Sequence, residues 1–266
     1  MLEYLLSAYP PMTTRPPSRR TFLRTGLAAI AAPALSACDF FGFKEGGNAR
    51  LAARPGEPTW TPATGLSSLA LAADRDALLF IPSSYDPAVP MPLVVALHGA
   101  GGNAGYWASY HDRAETRGFI LLAPESFDFT WDLVLGDFGV DVTFVDQALA
   151  ATFDRCRIAA SRIALAGFSD GASYALSLGI PNGDLFTHLI AYSPGYYTRT
   201  SAEGRPRILV SHGRSDTVLP VAGSRDVIVP HLTDRGYDVT YEEFDGGHEV
   251  PAAMSEAALD WFLGAT

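Results

Sequence analysis

The chain has 266 residues, with 29 acidic against 19 basic side chains and a formal net charge of −10 at pH 7. This charge argues against nucleic acid or an anionic membrane surface as a partner, because either would repel the folded protein. The length and a hydrophobic content of 48% favour one globular domain with a core of its own.

The N-terminal segment has the pattern of an export signal. Residues 18–24, with the sequence SRRTFLR, resemble the twin-arginine export signal, and an uncharged, alanine-rich run follows over residues 26–37. This run is too short to span a bilayer stably, so we interpret it as a signal segment and not as a membrane helix. Met12 lies shortly before the arginine pair and is an alternative start to Met1.

The end of that run predicts a processing site. Residues 35–38, with the sequence LSAC, resemble the lipobox of bacterial lipoproteins, in which the peptide is cut before the cysteine and the cysteine is acylated. The resemblance implies that residues 1–37 are a removable signal. It also implies that a lipid on Cys38 anchors the exported protein to a membrane of the bacterial cell envelope. Release of a soluble chain after cleavage is the alternative.

The rest of the chain alternates between predicted strands and helices. Residues 38–65 are rich in Gly, Pro, Ala and Thr without an apolar period, which predicts a flexible tether before a folded domain over residues 66–266. The alternation favours the α/β class, with a mostly parallel sheet covered by helices on both faces. In chain order, we predict strands over 77–81 and 93–97, a helix over 106–117, a strand over 119–123, a helix over 142–153, a strand over 163–166, a helix over 172–178, strands over 189–192 and 208–210, a helix over 221–235, a strand over 239–244 and a helix over 252–263.

One turn in this pattern carries a candidate nucleophile. The predicted strand 163–166 leads into Gly167-Phe168-Ser169-Asp170-Gly171, and a predicted helix follows. In a G-x-S-x-G turn, the glycines let the strand and helix backbones approach closely, and the serine stands at the tip above the N-terminus of the helix. Ser169 is therefore the candidate nucleophile. A glycine-rich turn without catalytic function is the alternative that this pattern alone leaves open.

The loop after the predicted strand 93–97 has the sequence HGAGG. Small residues let such a loop turn its backbone N–H groups toward a substrate oxygen. We predict an oxyanion hole from the N–H groups of Ala100 and Asp170, with Gly101 as the alternative donor. The same loop fits a dinucleotide-binding fingerprint, Gly99-x-Gly101 after a strand with Glu125 about twenty residues on. An NAD(P)-binding oxidoreductase is therefore a second interpretation.

Two further strand ends supply an acid and a base. Asp216 lies in the loop after the predicted strand 208–210, and His248 lies on a Gly-Gly loop after the predicted strand 239–244. A carboxylate in this place can orient an imidazole, and the imidazole can take the proton of Ser169. A role for Asp216 as a helix cap is the alternative, and Asp245 and Glu243 are alternative orienting acids.

Together these stretches resemble the α/β-hydrolase superfamily, and more closely its small esterases of the carboxylesterase/phospholipase and polyhydroxybutyrate-depolymerase-like groups. The resemblance rests on LVVALHGAGG, GFSDGAS, HGRSDTVLP and GGHEVP, with the nucleophile, acid and base in that superfamily's order. It implies the α/β-hydrolase fold without a large lid domain, and a serine hydrolase that cleaves carboxylic esters without a cofactor. The expected substrate is a small-molecule or polymer-end ester.

Two remaining points concern metal binding and catalytic activity. No set of metal ligands has workable spacing in the sequence, so we expect no metal site. An anchored binding protein that kept the fold without the activity is the alternative of a different class.

The surroundings of the site are predicted more coarsely. His98 and His212, which precede glycines in strand-end loops, are expected to be structural. Aromatic residues in or near strand-end segments are candidates for a substrate pocket, although about half of such residues are expected in the core. These candidates are Tyr106, Trp107, Trp131, Tyr196 and Tyr197.

Overall fold

The computed structural model describes residues 49–264, apart from the side chain at position 135. Within this range the strands are β1 (Gly65–Ser68), β2 (Ala77–Ile81), β3 (Met91–Leu97), β4 (Ile120–Pro124), β5 (Ile158–Phe168), β6 (His188–Tyr192), β7 (Arg207–Gly213) and β8 (Val239–Phe244). The α-helices are α1 (Ser109–Arg117), α2 (Asp132–Leu135), α3 (Val140–Arg155), α4 (Asp170–Gly179), α5 (Val229–Asp234) and α6 (Ala252–Leu263).

The strands form one eight-stranded sheet in the order β1-β2-β4-β3-β5-β6-β7-β8 within the described range. The pairings β1–β2 and β2–β4 are antiparallel, and all later neighbours are parallel. The loops that follow β3, β5, β7 and β8 therefore emerge at the same edge of the sheet. The register at this edge pairs Leu97 with Gly167, Phe168 with Tyr192, Tyr192 with Ser211, and Gly213 with Phe244.

The sheet is buried on both faces, as its apolar strands require. Along β3, Leu93, Val95 and Leu97 belong to one buried cluster, which includes side chains of α3 and α4. Val94 and Ala96 point to the opposite cluster, which includes side chains of α1 and α6. The predicted mostly parallel α/β sheet with helices on both faces is confirmed.

Two predicted helices differ in their internal form. The helix predicted over 106–117 is a 3-10 helix over Ala104–Trp107 followed by α1, because the Asn103 side chain accepts the Gly105 N–H at 2.9 Å and starts a separate turn. The helix predicted over 221–235 is a π-helix over Gly223–Ile228 followed by α5. The change falls beside Pro230, which has no N–H to donate to the preceding turn.

The segment of residues 49–59, which we call the N-terminal strap, lies packed against the domain. Ala49 and Leu51 are each only 3% exposed. The buried Asn182 side chain accepts the Leu51 N–H at 2.9 Å and donates to the Ala49 carbonyl at 2.7 Å. The prediction of a flexible tether over 38–65 is therefore wrong for the strap, since a loop-like composition does not reveal partners more than a hundred residues away. Residues 38–48 lie outside the described residues.

Candidate active site

The turn between β5 and α4 shows why the G-x-S-x-G motif needs its glycines. A Cβ added to Gly167 would lie 2.1 Å from the carbonyl oxygen of Gly171, and one added to Gly171 would lie 2.4 Å from that of His98. Ser169 has φ 57° and ψ −121°, a backbone conformation that side-chain-bearing residues rarely adopt. The turn leaves Ser169 at the N-terminus of α4 with 8% of its surface exposed.

Three side chains from separate strand ends form a continuous hydrogen-bonded chain. His248 Nε2 lies 2.8 Å from Ser169 Oγ, and His248 Nδ1 lies 2.6 Å from Asp216 Oδ2. A carboxylate can only accept, so Nδ1 carries the proton of the neutral imidazole and Nε2 accepts from the serine hydroxyl. The structure brings together the three residues that the sequence predicts as nucleophile, base and orienting acid.

The loop that carries His248 crosses directly over the end of β7. A Cβ added to Gly213 would lie 2.2 Å from the carbonyl oxygen of Gly247, so a larger residue at position 213 would push this loop away. The imidazole of His248 also packs on the ring of Phe168, with centroids 4.8 Å apart and planes inclined by 37°. Backbone contact and ring packing together fix the imidazole over Ser169.

Asp216 is held by donors on both carboxylate oxygens. Oδ1 accepts the backbone N–H groups of Val218 at 2.9 Å and Leu219 at 2.8 Å. Oδ2 faces His248 and also lies 3.2 Å from His212 Nε2. Burial acts to raise the pKa of Asp216, but the hydrogen bonds from His212, His248 and the Leu219 N–H outweigh it and lower the pKa below its usual range. The group is therefore a carboxylate at neutral pH.

The two alternative orienting acids pair with arginines. Glu243 accepts from Arg225 Nε at 2.7 Å, and Asp245 accepts from Arg214 at 2.6 Å. Asp245 has 93% of its side chain exposed. The acid that faces the imidazole is Asp216.

Two backbone N–H groups near the serine are without an acceptor in the described part of the chain, one in the loop after β3 and one at the start of α4. Within residues 49–264, the N–H groups of Ala100 and Asp170 donate to no protein acceptor. The Gly101 N–H donates to the carbonyl oxygen of Phe129 at 2.6 Å, so it is already paired and the alternative assignment to Gly101 is wrong. Ala100 and Asp170 remain the predicted oxyanion hole.

The His98 side chain holds the same loop in place through two contacts with the backbone. Its Nδ1 lies 2.8 Å from the Gly99 carbonyl oxygen, and its Nε2 accepts the Ser126 N–H at 3.1 Å. Nδ1 must therefore carry the proton, and burial lowers the pKa of this histidine, which keeps the ring neutral. Trp131 Nε1 donates to the His98 carbonyl at 2.9 Å, so the loop is tied on two sides.

Three of the predicted pocket residues are in the core instead. Trp107, Trp131 and Tyr197 are 2%, 0% and 1% exposed. Trp107 packs edge-on against Tyr110 with ring centroids 4.9 Å apart, and Trp131 stacks on Tyr174 at 5.0 Å. Large aromatic rings next to strand ends fill the space beneath the loops, and their sequence position alone does not distinguish this from a place in the pocket.

The other two candidates, Tyr106 and Tyr196, lie nearer the surface. Tyr106 is 42% exposed and stacks on Phe168, with centroids 5.5 Å apart and planes within 2° of parallel. Tyr196 is half-buried, and burial raises its pKa well above the usual range. Phe168, absent from the predicted pocket, joins Tyr106 to the imidazole of His248. The sequence could have indicated Phe168 as a site residue, because it lies directly before the candidate nucleophile Ser169.

A cavity of about 250 Å³ lies between the loop that follows β4 and the start of α3. Its lining combines apolar and acidic side chains: Phe127, Asp128, Thr130, Asp132, Gly136, Val140 and Asp141. Thr130 Oγ1 donates to Asp170 Oδ2 at 2.7 Å, which connects the cavity wall to the residue that follows the candidate nucleophile. The cavity is therefore a neighbour of the site.

The dinucleotide interpretation assigns the ribose to Glu125. In the structure, that carboxylate instead accepts the backbone N–H of Asp76 at 3.0 Å and of Ala104 at 3.2 Å. The Gly102 N–H is likewise paired, with the Gly99 carbonyl at 3.0 Å. The Glu125 carboxylate and the Gly102 N–H, which a bound dinucleotide would need, are therefore already hydrogen-bonded within the protein.

The strand order, the G-x-S-x-G turn and the strand-end loops together define an α/β-hydrolase fold, and solved structures agree. The esterase PE8 superposes with a TM-score of 0.58 at 21% identity, over 74% of this chain and 98% of that one. The S-formylglutathione hydrolase FrmB from Staphylococcus aureus gives 0.60 at 12%, over 76% and 100%. A CE1 ferulic acid esterase from Anaeromyces mucronatus, in complex with ferulic acid, gives 0.57 at 18%, over 80% and 94%. The predicted fold is confirmed.

The curated relatives are similar over part of their length. Feruloyl esterase C of Emericella nidulans is 29% identical over 177 residues, which are 62% of this chain and 64% of that protein. The probable feruloyl esterase C of Aspergillus niger is 30% identical over 173 residues, or 61% and 62%. The chain thus matches less than two thirds of the length of these relatives.

The N-terminus matches a family of signals. Residues 16–36 match the twin-arginine translocation pathway signal sequence, so the prediction of an export signal is confirmed. Among residues 49–264, no helix has the length and apolar character needed to cross a membrane. Cys38 lies outside the described residues.

Proposed function

We propose that this protein is a serine hydrolase that cleaves carboxylic esters through an acyl-enzyme. Ser169 is the nucleophile, His248 the general base and Asp216 the acid that orients and stabilises the imidazolium. The observation that carries the proposal is the hydrogen-bonded chain of these three side chains at the N-terminus of α4. The names of the curated relatives support an ester as the substrate.

The reaction divides into two similar steps. In the first, His248 Nε2 takes the Ser169 proton while Oγ attacks the ester carbonyl; the C–O bond to the alcohol then breaks, and the alcohol leaves with that proton. In the second, His248 takes a proton from water, which attacks the acyl-enzyme and releases the acid. The proton returned by His248 restores the serine hydroxyl.

The negative oxygen of each tetrahedral intermediate needs a preformed donor set. The unpaired N–H groups of Ala100 and Asp170 are suited to this role, and the N-terminus of α4 adds its partial positive charge. The ties on the loop at His98 and Gly101 keep the Ala100 N–H in place before the substrate arrives.

We propose an acyl group that carries an aromatic ring, such as a hydroxycinnamoyl group. The exposed ring of Tyr106 stacks on Phe168, which packs on His248, and the exposed ring of Phe129 lies against Gly101 in the loop after β3. Flat aromatic groups stack favourably on such rings. The neighbouring cavity of about 250 Å³ offers space for further substrate atoms. The names of the feruloyl esterase relatives point to the same substrate class.

A fluorophosphonate probe tests the activity, since it reacts only with an activated serine. We expect it to label the wild-type protein and the control Ser215→Ala, an exposed serine in the loop before Asp216, but not Ser169→Ala. Hydrolysis of methyl ferulate should exceed that of methyl hexanoate. Labelling that persists in Ser169→Ala would overturn the assignment, and an unlabelled wild type that hydrolyses no ester would favour the non-catalytic binding protein.

We also propose that a lipid on Cys38 anchors the exported protein to a membrane of the cell envelope. Support comes from the LSAC sequence at the end of the twin-arginine signal. In a bacterial host, the wild type should incorporate labelled palmitate and sediment with membranes, whereas Cys38→Ser should do neither. A wild-type protein found unlabelled in the soluble fraction would favour release after cleavage.

A further inference from the structure

Asp216 has a second histidine neighbour besides His248. His212, at the end of β7, is completely buried. Its Nε2 lies 2.7 Å from the Leu219 carbonyl oxygen and 3.2 Å from Asp216 Oδ2, and its Nδ1 lies 2.8 Å from Ser224 Oγ. The buried ring therefore connects the triad acid to the π-helix behind it.

These contacts decide where the His212 proton is. A carbonyl and a carboxylate both only accept, so a bare lone pair on Nε2 would face two acceptors, and Nε2 must carry hydrogen. In the neutral ring, Nδ1 then accepts from the Ser224 hydroxyl. The Nε2–H therefore faces the Leu219 carbonyl at 2.7 Å and Asp216 Oδ2 at 3.2 Å, and the Ser224 hydroxyl completes the contacts of the ring at Nδ1.

We propose that His212 is a positioning residue for the proposed triad: its Nε2–H holds Asp216 Oδ2 in the orientation that His248 requires. The inference rests on the proposed serine hydrolase function. Val218 and Leu219 already fix Oδ1 through their N–H groups, whereas Oδ2 otherwise depends on His248, the group that it must orient. A fixed donor from the core removes this dependence.

The His212 Nε2–H also affects how strongly His248 holds a proton. A hydrogen bond from His212 disperses part of the Asp216 charge, so Asp216 attracts the His248 imidazolium less strongly than it would without that bond. Removal of the donor should therefore stabilise the imidazolium and move the acid limb of the kcat/KM profile to higher pH. The carboxyl group of Asp170 on α4 also interacts with His248, and it is unchanged in the variants below.

The test compares His212→Leu, which has no donor, with His212→Gln, whose side-chain amide nitrogen reaches the position of Nε2. For His212→Leu we expect kcat to fall about tenfold with KM within twofold, because the residue does not touch the substrate. The acid limb of the kcat/KM profile should move to higher pH by about half a pH unit. His212→Gln should stay within about threefold of the wild type with the limb unmoved. Ser224→Ala, which removes the contact at Nδ1 but leaves both acceptors of the Nε2–H, should stay within about threefold of the wild type.

The outcomes separate this inference from the function on which it rests. A wild type that does not react with fluorophosphonate overturns both. A reactive wild type with His212→Leu unchanged in kcat and in its acid limb overturns the role of His212 alone. Equal losses in the Leu and Gln variants with an unmoved limb and a lower Tm would show a purely structural residue. Should His212→Leu not fold, His212→Met, which also has no donor, takes its place, and a Met variant that matches the wild type in kcat and acid limb would likewise refute the inference.

Discussion

Replacement of Asp216 by asparagine changes hydrogen-bond donors at the site without changing its shape. Oδ1 of the carboxylate accepts two backbone N–H groups, so the amide oxygen of the variant must take this position. The amide nitrogen then stands in the place of Oδ2, 2.6 Å from His248 Nδ1 and 3.2 Å from His212 Nε2. Donor would face donor on both sides.

The lowest-energy response is a change of tautomer at His248. Nδ1 loses its proton to accept from the amide, and Nε2 then carries hydrogen toward Ser169 and cannot take the serine proton. The variant also lacks the negative charge that stabilises the imidazolium. We expect kcat/KM at pH 7 to fall by about 10³- to 10⁴-fold, the size of effect that loss of the correct tautomer produces in serine hydrolases.

The assay is steady-state hydrolysis of p-nitrophenyl acetate, with circular dichroism to confirm that the variant is folded. Asp245→Asn serves as the matched control, since this exposed acid pairs with Arg214 and should leave the rate within about twofold. A folded Asp216→Asn enzyme within tenfold of the wild type would refute the reasoning. If Asp245→Asn were the slow variant, the orienting acid would be Asp245.

Three further predictions concern stability and ring packing. Burial lowers the pKa of His188 to about 4 from 6.5, so its contribution to stability is present above pH 6.5 and lost as the pH falls toward 4. The Tm of the wild type should therefore fall more over this range than that of His188→Gln, and equal slopes would contradict the prediction. Asn182→Ala should lower the free energy of unfolding by about 1–3 kcal/mol, since the buried N–H of Leu51 loses its acceptor. Urea denaturation measures this loss, and an unchanged midpoint would exclude it. Phe168→Ala should lower kcat about tenfold, because the His248 ring loses the surface that it packs on; ester hydrolysis at the wild-type rate would count against this.

The elements of the fold follow from local patterns. The apolar run of β3 and the amphipathic periods of α3 and α6 are visible in the sequence, because burial on one or two faces selects residue types at fixed spacing. The internal form of the helix after β7 was not predictable, because the π-helix depends on how Pro230 and the buried Ser224 meet the rest of the domain.

The candidate site likewise has parts that the sequence predicts and parts that it does not. The sequence carries Ser169, Asp216 and His248 because each lies in a short motif whose residue types meet a local requirement. The same reasoning placed Trp107 and Trp131 in the pocket, although both rings are core. It also treated His212 as structural, since a histidine beside a glycine shows nothing about a carboxylate that the chain brings to its ring.

By itself, the sequence determined the class of fold, the export signal and the residue types at each strand end, because these depend on contacts between near neighbours in the chain. Only the tertiary structure decided which oxygen each donor faces, which backbone N–H groups stay unpaired and how the strap is held. These depend on distances of about 3 Å between groups far apart in the chain, and such distances are set by the packing of the whole domain.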